Sequence, residues 1–173
     1  MQSSPAVTKY KLMILSLLSH SDSPLTNTQL SDFFLENGYT NYFTLQETLL
    51  SLSDSGLIRR EQAYHNTLYD LTPAGADTLS FYENELSDGI MDDISNYLTA
   101  HAIQIRRETA VYAGYDRTID KEFAVRCRLK EKGITRLDFT ITVPKKEIAE
   151  AICMNWKEKS EEVYDILRDS LIC

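Results

Sequence analysis

Residues 24–60 read PLTNTQLSDFFLENGYTNYFTLQETLLSLSDSGLIRR and contain the signals for two short helices followed by a strand. Thr26 is a residue type that caps helix N-termini, whereas Gly38 and Gly56 are suited to end helices in a left-handed conformation. Leucines and phenylalanines recur between these limits at helical spacing, which gives each helix one apolar face. The stretch therefore predicts a second and a third helix joined by a short turn, with a strand beginning at Leu57.

The neighbouring segments extend this pattern. Residues 9–20 are apolar on most of a helical surface and predict a buried first helix. Two strand-like runs, 57–62 and 67–71, are separated by a turn, and Thr72 followed by Pro73 is typical of a helix start. The predicted order over residues 1–85 is helix, helix, helix, hairpin, helix.

The C-terminal half predicts a three-stranded antiparallel sheet. Residues 123–130 and 137–143 alternate apolar and polar side chains, which is the pattern of strands with one buried face. The segment 102–115 is predicted to be the preceding strand. That prediction depends on the shared parity of Ile103, Ile105 and Val111.

Two amphipathic helices flank this sheet, one over residues 86–101 and one from Pro144 to Leu171. We therefore interpret the chain as an α+β protein with two domains, residues 1–85 and residues 86–173. The apolar stripes of these helices can pack inside the monomer or against a second subunit, and a homodimer is the expectation.

Composition limits the class of protein. The chain has 173 residues, 43% of them hydrophobic, and a formal net charge of -8. Cys127, Cys153 and Cys173 are scattered without a CxxC spacing, which favours a reducing compartment. No apolar run approaches the roughly 20 residues that a membrane-spanning helix needs. The sequence predicts a cytoplasmic protein that does not insert into membranes.

Signatures of catalysis are missing from the sequence. His20, His65 and His101 have no cysteine or carboxylate at metal-ligand spacing. The sequence contains no glycine-rich phosphate loop and no nucleophile elbow. We expect a protein that is not an enzyme and that needs neither a cofactor nor a metal.

Two local motifs carry a resemblance to known regulators. SLSDSGLIRR, residues 51–60, and LYDLTPAG, residues 68–75, resemble the wing borders of PadR-like and MarR-like winged-helix proteins. Along its whole length, through PLTNTQL, YTNYFTLQETL and MNWKEKSEEVY, the chain resembles a Firmicute winged-helix family known as domain of unknown function 4364. The resemblance implies an N-terminal winged helix-turn-helix and, by analogy of fold, a DNA-binding transcription regulator.

In the winged-helix mode the third helix enters the major groove and the hairpin forms a wing that contacts the backbone or a neighbouring groove. We therefore expect double-stranded DNA as the partner. Polar residues at the start of the third helix and on the hairpin are the candidates for contact. They are Asn41, Tyr42, Thr44, Gln46, Thr48, Arg59, Arg60, His65 and Asn66.

Charge and surface pattern favour a second hypothesis, a winged-helix module that docks a protein. Residues 1–85 contain four basic and ten acidic residues, a formal charge of -6, which weakens attraction to DNA. The face of the third helix opposite its leucine stripe carries two apolar and two acidic residues. They are Phe43, Glu47, Leu50 and Asp54, and Phe43 and Leu50 are the candidates for contact with a protein.

A third hypothesis places function in the C-terminal sheet. Three basic residues alternate along one predicted strand, and two more from neighbouring segments are expected on the same side, which provides a face for an anionic ligand or an acidic partner. Interleaved acids also make the same face an ordinary solvated surface. The basic residues are Arg106, Arg126, Arg128, Lys130 and Arg136.

Overall fold

Over residues 4–173, helices and strands follow one another in a mixed α+β arrangement with seven α-helices and two three-stranded antiparallel sheets. The computed structural model describes residues 4–173. In chain order the elements are α1 (Pro5–His20), β1 (Leu25–Thr26), α2 (Asn27–Glu36), α3 (Tyr42–Asp54), β2 (Ile58–Gln62), β3 (Thr67–Leu71), α4 (Pro73–Tyr82), a 3-10 turn (Glu83–Glu85), α5 (Asp88–Ala100), α6 (Ala102–Ala110), β4 (Val111–Arg117), β5 (Phe123–Glu131), β6 (Ile134–Val143) and α7 (Lys146–Ile172).

The chain divides into two compact units by its internal contacts. The first unit comprises the chain up to Glu61 together with Thr67–Ile105, and the second comprises Gln62–Asn66 together with Arg106–Cys173. The sequence analysis placed a boundary at residue 85. In the structure α5 belongs to the first unit, because Ile90 and Ile94 are buried in its core.

Local capping fixes the limits of α2 and α3. Thr26 Oγ1 accepts the backbone N–H of Gln29 at 3.1 Å, and Gln29 Oε1 accepts the backbone N–H of Thr26 at 2.9 Å, which completes a capping box. Asn41 Oδ1 accepts the backbone N–H of Thr44 at 2.8 Å at the start of α3. Gly38 and Gly56 end the two helices with φ values of +68° and +75°. The predicted helices and their limits are confirmed.

The core of the first unit forms around α1. Residues 12–18 of α1 are all buried, as the continuous apolar run predicts. The leucine face of α3 and the phenylalanines of α2 pack in the same cluster. A short sheet with the order β1-β3-β2 completes the unit, and β1 pairs with β3 through Leu25 opposite Tyr69. The predicted order of three helices, a hairpin and a fourth helix is therefore present.

The second unit is an antiparallel sheet with the order β4-β5-β6 whose apolar face packs against α7. Val125, Cys127 and Leu129 of β5 lie on that face, as their alternation predicts. Trp156 of α7 is 3% exposed and donates its indole N–H to the carbonyl of Arg128 at 3.1 Å. Trp156 is therefore a core anchor of this unit, which agrees with the predicted sheet covered by a terminal helix.

The prediction of a strand over residues 102–115 is wrong for its first part. Ala102–Ala110 forms α6, and the strand β4 begins only at Val111. Ile105 and Thr109 are buried at 4% and 5% exposure, four residues apart, whereas Ile103 is 70% exposed. This spacing is helical, so the shared parity of Ile103 and Ile105 does not correspond to a shared buried face.

Candidate recognition surface

The exposed side of α3 is the most conspicuous surface of the first unit. Phe43 is 81% exposed and Leu50 is 60% exposed, whereas the leucines on the opposite side are at most 1% exposed. Tyr42 is 53% exposed at the start of the same helix. We call the exposed residues of this helix the α3 face, and they are Tyr42, Phe43, Glu47, Leu50 and Asp54.

Hydrogen bonds within the fold already engage part of the set that was predicted to contact DNA. Thr48 is 2% exposed and its hydroxyl donates to the carbonyl of Thr44 at 2.7 Å. The prediction that Thr48 contacts DNA is therefore wrong, because Thr48 lies on the core side of the helix, next to buried leucines. Asn41 is exposed, but its side-chain oxygen caps α3. Thr44 is half-buried, so Tyr42 is the most accessible member of the predicted set on this helix.

Gln46 is tied to α2 by a reciprocal amide pair. Asn27 Nδ2 donates to Gln46 Oε1 at 2.8 Å, and Gln46 Nε2 donates to Asn27 Oδ1 at 3.0 Å. Asn27 Nδ2 also lies 3.4 Å from the hydroxyl of Tyr69 on β3. The amide that was expected to contact a base edge therefore joins α2 to α3.

The hairpin presents its basic residues on β2. Arg59 and Arg60 are both exposed, and the guanidinium of Arg59 lies 3.4 Å from the Asp70 carboxylate on β3. A surface ion pair of this kind is worth at most about 1 kcal/mol, so it does not hold Arg59 firmly in place. The first unit as a whole has 4 basic and 13 acidic residues, a formal charge of -9.

The hairpin turn that carries His65 and Asn66 belongs to the second unit. The backbone N–H of Tyr64 donates to the carbonyl of Ala113 on β4 at 2.7 Å, and the Tyr112 hydroxyl donates to the carbonyl of Gln62 at 3.1 Å. The tip of the hairpin is thus hydrogen-bonded to β4. The tip of a DNA-binding wing, in contrast, is free to enter a groove of the DNA. His65 is exposed and Asn66 is half-buried.

The polar face of the second sheet carries four of the five basic residues considered in the sequence; Arg106 lies on α6, so its expected place on the sheet is wrong. Arg126 forms a bidentate pair with Asp138 at 3.0 and 2.9 Å, and this hydrogen bonding holds the pKa of the Asp138 carboxyl below its usual value. The guanidinium of Arg128 lies over the Tyr112 ring, 4.7 Å from its centroid. Arg136 lies 3.5 Å from Glu131. This basic cluster is largely compensated by neighbouring groups, which favours a solvated sheet face.

Cysteine and metal chemistry have little support in the described part of the chain. Among residues 4–173, no group of three or more His, Cys, Asp or Glu side chains is arranged to hold a metal ion. Burial raises the pKa of Cys127 to about 12 and that of Cys153 to about 11, so both thiols are protonated at neutral pH. None of the helices within these residues has the length and apolar character to cross a membrane.

Sequence reasoning missed a recess in the second unit whose residues are far apart in the chain. It is lined by the hairpin turn, α6, β4 and α7, with Arg107 and Lys157 among its basic residues. A prediction of a helix over residues 102–110 is the sequence signal that could have identified Arg107 as a candidate.

The chain was compared with protein families, curated proteins and solved structures. No curated protein and no solved structure matches it. One family model matches residues 10–171, which is nearly the whole chain, and it is described as a domain of unknown function, DUF4364. The resemblance to domain of unknown function 4364 noted from the sequence is thereby confirmed. The chain belongs to the DUF4364 family of domains of unknown function.

Proposed function

We propose that the first unit is a winged-helix module that docks a protein through the α3 face. The observation that carries the proposal is the exposure of Phe43 and Leu50 on the helix that a DNA-binding winged helix inserts into the major groove. Aromatic and aliphatic anchors surrounded by polar groups are typical of protein interaction sites. Glu47 and Asp54 lie on the same face, so we infer a partner whose apolar recess is bordered by lysine or arginine.

The electrostatics of the unit support the same proposal. A nucleic-acid reader gains most of its non-specific affinity by releasing counterions from phosphates, and it needs cations at the contact surface. The α3 face carries two acids and no basic residue, in a unit with a formal charge of -9. These charges oppose a phosphate backbone and attract a basic protein surface.

A DNA-binding transcription regulator is the second candidate function, and the exposed Arg59 and Arg60 on β2 favour it. In this mode the two arginines contact phosphates, while Tyr42 and neighbouring polar groups at the start of α3 reach a groove. As a dimer, such a protein presents two locally positive wings to the DNA backbone.

Charge reversal on α3 separates the two candidates, because its effect on binding has opposite signs. In the docking mode Glu47→Lys repels the basic border of the partner and weakens binding. In the DNA mode the same substitution adds a phosphate contact and strengthens binding. We would measure DNA binding by gel mobility shift of genomic fragments around the protein's own gene, at about 50 and 200 mM salt. A specific shift that Glu47→Lys strengthens and Arg59→Ala with Arg60→Ala abolishes would overturn the docking proposal.

The docking partner is trapped with a photo-crosslinking amino acid placed at position 43, and its affinity is then measured with purified components. Phe43→Ser and Leu50→Ser are expected to weaken binding by about tenfold or more, as interface anchors do. The matched control is Phe81→Ser. Phe81 on α4 is 80% exposed, so this substitution removes an equally exposed aromatic side chain from a different helix. Equal crosslinking at positions 43 and 81, or equal losses in Phe43→Ser and Phe81→Ser, would contradict the proposal.

We also propose that the protein forms a homodimer through the end of α7. The apolar stripe of α5 is used inside the first unit, where Ile90, Ile94 and Tyr97 are buried. The last turns of α7, in contrast, expose four apolar side chains, of which Leu167 and Leu171 lie on one side of the helix, where a two-fold axis can pair them with their copies. The four residues are Ile166, Leu167, Leu171 and Ile172, between 41% and 82% exposed.

Sedimentation velocity tests the dimer over a range of protein concentrations. Leu167→Ser with Leu171→Ser is expected to raise the dimer dissociation constant by about tenfold or more, because both side chains leave an apolar contact. Met154→Ser is the control, since Met154 is 59% exposed in the first half of the same helix. A wild-type protein that sediments as a monomer at all concentrations would refute this part of the proposal.

A further inference from the structure

A recess of about 100 Å³ lies within the second unit, formed by parts of the chain that are distant in sequence. The hairpin turn contributes His65 and Asn66, α6 contributes Arg107 and Glu108, and α7 contributes Lys157. Three separate elements therefore bring polar side chains to one recess.

The floor of the recess is apolar and neutral. Ala63, Val111 and Ala113 line it from the turn and from β4, and Cys153 closes it from α7 at 2% exposure. Burial raises the pKa of the Cys153 thiol to about 11, so this wall carries no charge at neutral pH. The charged groups that line the recess are therefore those of α6 and α7.

The positive charge of the two cations in the recess, Arg107 and Lys157, is not balanced by an ion pair within residues 4–173. Several other basic side chains of the unit do form ion pairs on the surface. Examples are Arg126 with Asp138, Lys146 with Glu150 and Lys159 with Glu162.

Two like charges that line one small cavity repel each other, and an anion placed between them removes that repulsion. A guanidinium offers two parallel N–H donors to a carboxylate or phosphate, and an ammonium adds a mobile positive charge. Asn66 and His65 bring further hydrogen-bonding groups to the same rim. The recess is large enough to hold one oxyanion group.

We infer that this recess binds a small oxyanion, a phosphate or carboxylate group, between Arg107 and Lys157. The group is either a free ion or the charged end of a larger molecule whose apolar part lies on the floor formed by β4 and Cys153. Glu108 lies on the same rim and lowers the local positive charge, so it limits the affinity. The site is distinct from the α3 face and does not depend on the function proposed for that face.

An NMR titration of the ¹⁵N-labelled full chain with inorganic phosphate tests the inference. The chloride concentration is adjusted at each step so that the ionic strength stays constant. We expect saturable shifts of the backbone amide signals of His65, Asn66, Arg107 and Lys157. Arg107→Gln and Lys157→Gln should each weaken phosphate binding by about tenfold or more, as loss of a charged hydrogen-bond donor does. Lys159→Gln is the matched control, because Lys159 lies on α7 outside the recess and is paired with Glu162.

A change of opposite sign makes the test sharper. Glu108→Gln removes a negative charge from the rim and should strengthen phosphate binding, which a general loss of structure cannot do. Glycerol phosphate binding more tightly than inorganic phosphate indicates a larger natural ligand, and equal affinities indicate a free ion. Shifts that are not saturable, that chloride reproduces, or that persist unchanged in Arg107→Gln would overturn the inference.

Discussion

Gly75 should be required by space rather than by backbone conformation, and replacing it with alanine tests the packing of the first unit. Gly75 is buried in the first turn of α4, and alanine is intrinsically the better helix former. A Cβ at this position, however, would lie 2.0 Å from the carbonyl oxygen of Leu57 and 2.8 Å from Leu71 Cδ1. Ordinary contact begins at 3.4 Å, so the carbonyl or the helix must move by about 1.4 Å.

The movement has a cost that can be approximated. The Leu57 carbonyl accepts the backbone N–H of Thr72 at 3.3 Å, and displacing it weakens that hydrogen bond by about 1 kcal/mol. Overpacking a well-filled site costs about 1–3 kcal/mol, and the better helix propensity of alanine returns about 0.5–1 kcal/mol. We expect Gly75→Ala to lower the free energy of unfolding by about 1–3 kcal/mol, which at roughly 2 kcal/mol/M shifts the urea midpoint down by about 0.5–1.5 M.

Gly89→Ala is the matched control for this measurement. Gly89 lies in the first turn of α5, where a Cβ would meet only Ser87 Oγ at 3.9 Å. Alanine there should raise the unfolding free energy by about 0.5 kcal/mol. Urea unfolding followed by far-ultraviolet circular dichroism measures both variants. A Gly75→Ala midpoint equal to or above that of the wild type would refute the close approach of α4 to the Leu57 carbonyl.

Two further predictions concern polar pairs of the first unit. Asn27→Ala and Gln46→Ala should each lower the free energy of unfolding by about 1–2 kcal/mol. The double variant should lower it by clearly less than the sum of the two, because both single variants remove the same amide pair. Additive losses in urea unfolding would argue against the pair. Burial, with the hydrogen bond to Asp93 and its charge, raises the pKa of Tyr39 to about 12, above its ordinary value of 10. The native state thus keeps a proton that the unfolded chain loses, and stability present below pH 10 should fall between pH 10 and 12. This fall should be smaller in Tyr39→Phe, and equal slopes of unfolding free energy against pH in the two proteins would be inconsistent with the assigned pKa.

The features that could be predicted from the sequence are those with local physical causes. The limits of α2 and α3 follow from a capping box and from two glycines with positive φ, all within a few residues of the helix ends. The alternation along β5 likewise identifies its buried face without knowledge of its neighbours. Such signals depend on short-range geometry, which sequence spacing describes directly.

The features that could not be predicted depend on partners far away in the chain. Gln46 is engaged by Asn27, 19 residues earlier, so its helix position alone did not exclude contact with DNA. β1 has only two residues and exists because β3 pairs with it. The basic recess needs the hairpin turn, Arg107 and Lys157 in one place, which only the tertiary structure supplies.

The acidic character of the first unit affects how binding experiments on the α3 face must be read. Docking on a basic protein surface and binding to phosphates both weaken as salt rises, because screening acts on either pair of opposite charges. Salt dependence alone therefore does not separate the two functions. The apolar contribution of Phe43 and Leu50 is not screened, so a docked complex should retain affinity at high salt that Leu50→Ser removes. A DNA complex should instead lose its affinity with salt alike in wild type and Leu50→Ser, because Leu50 carries no charge to release a counterion.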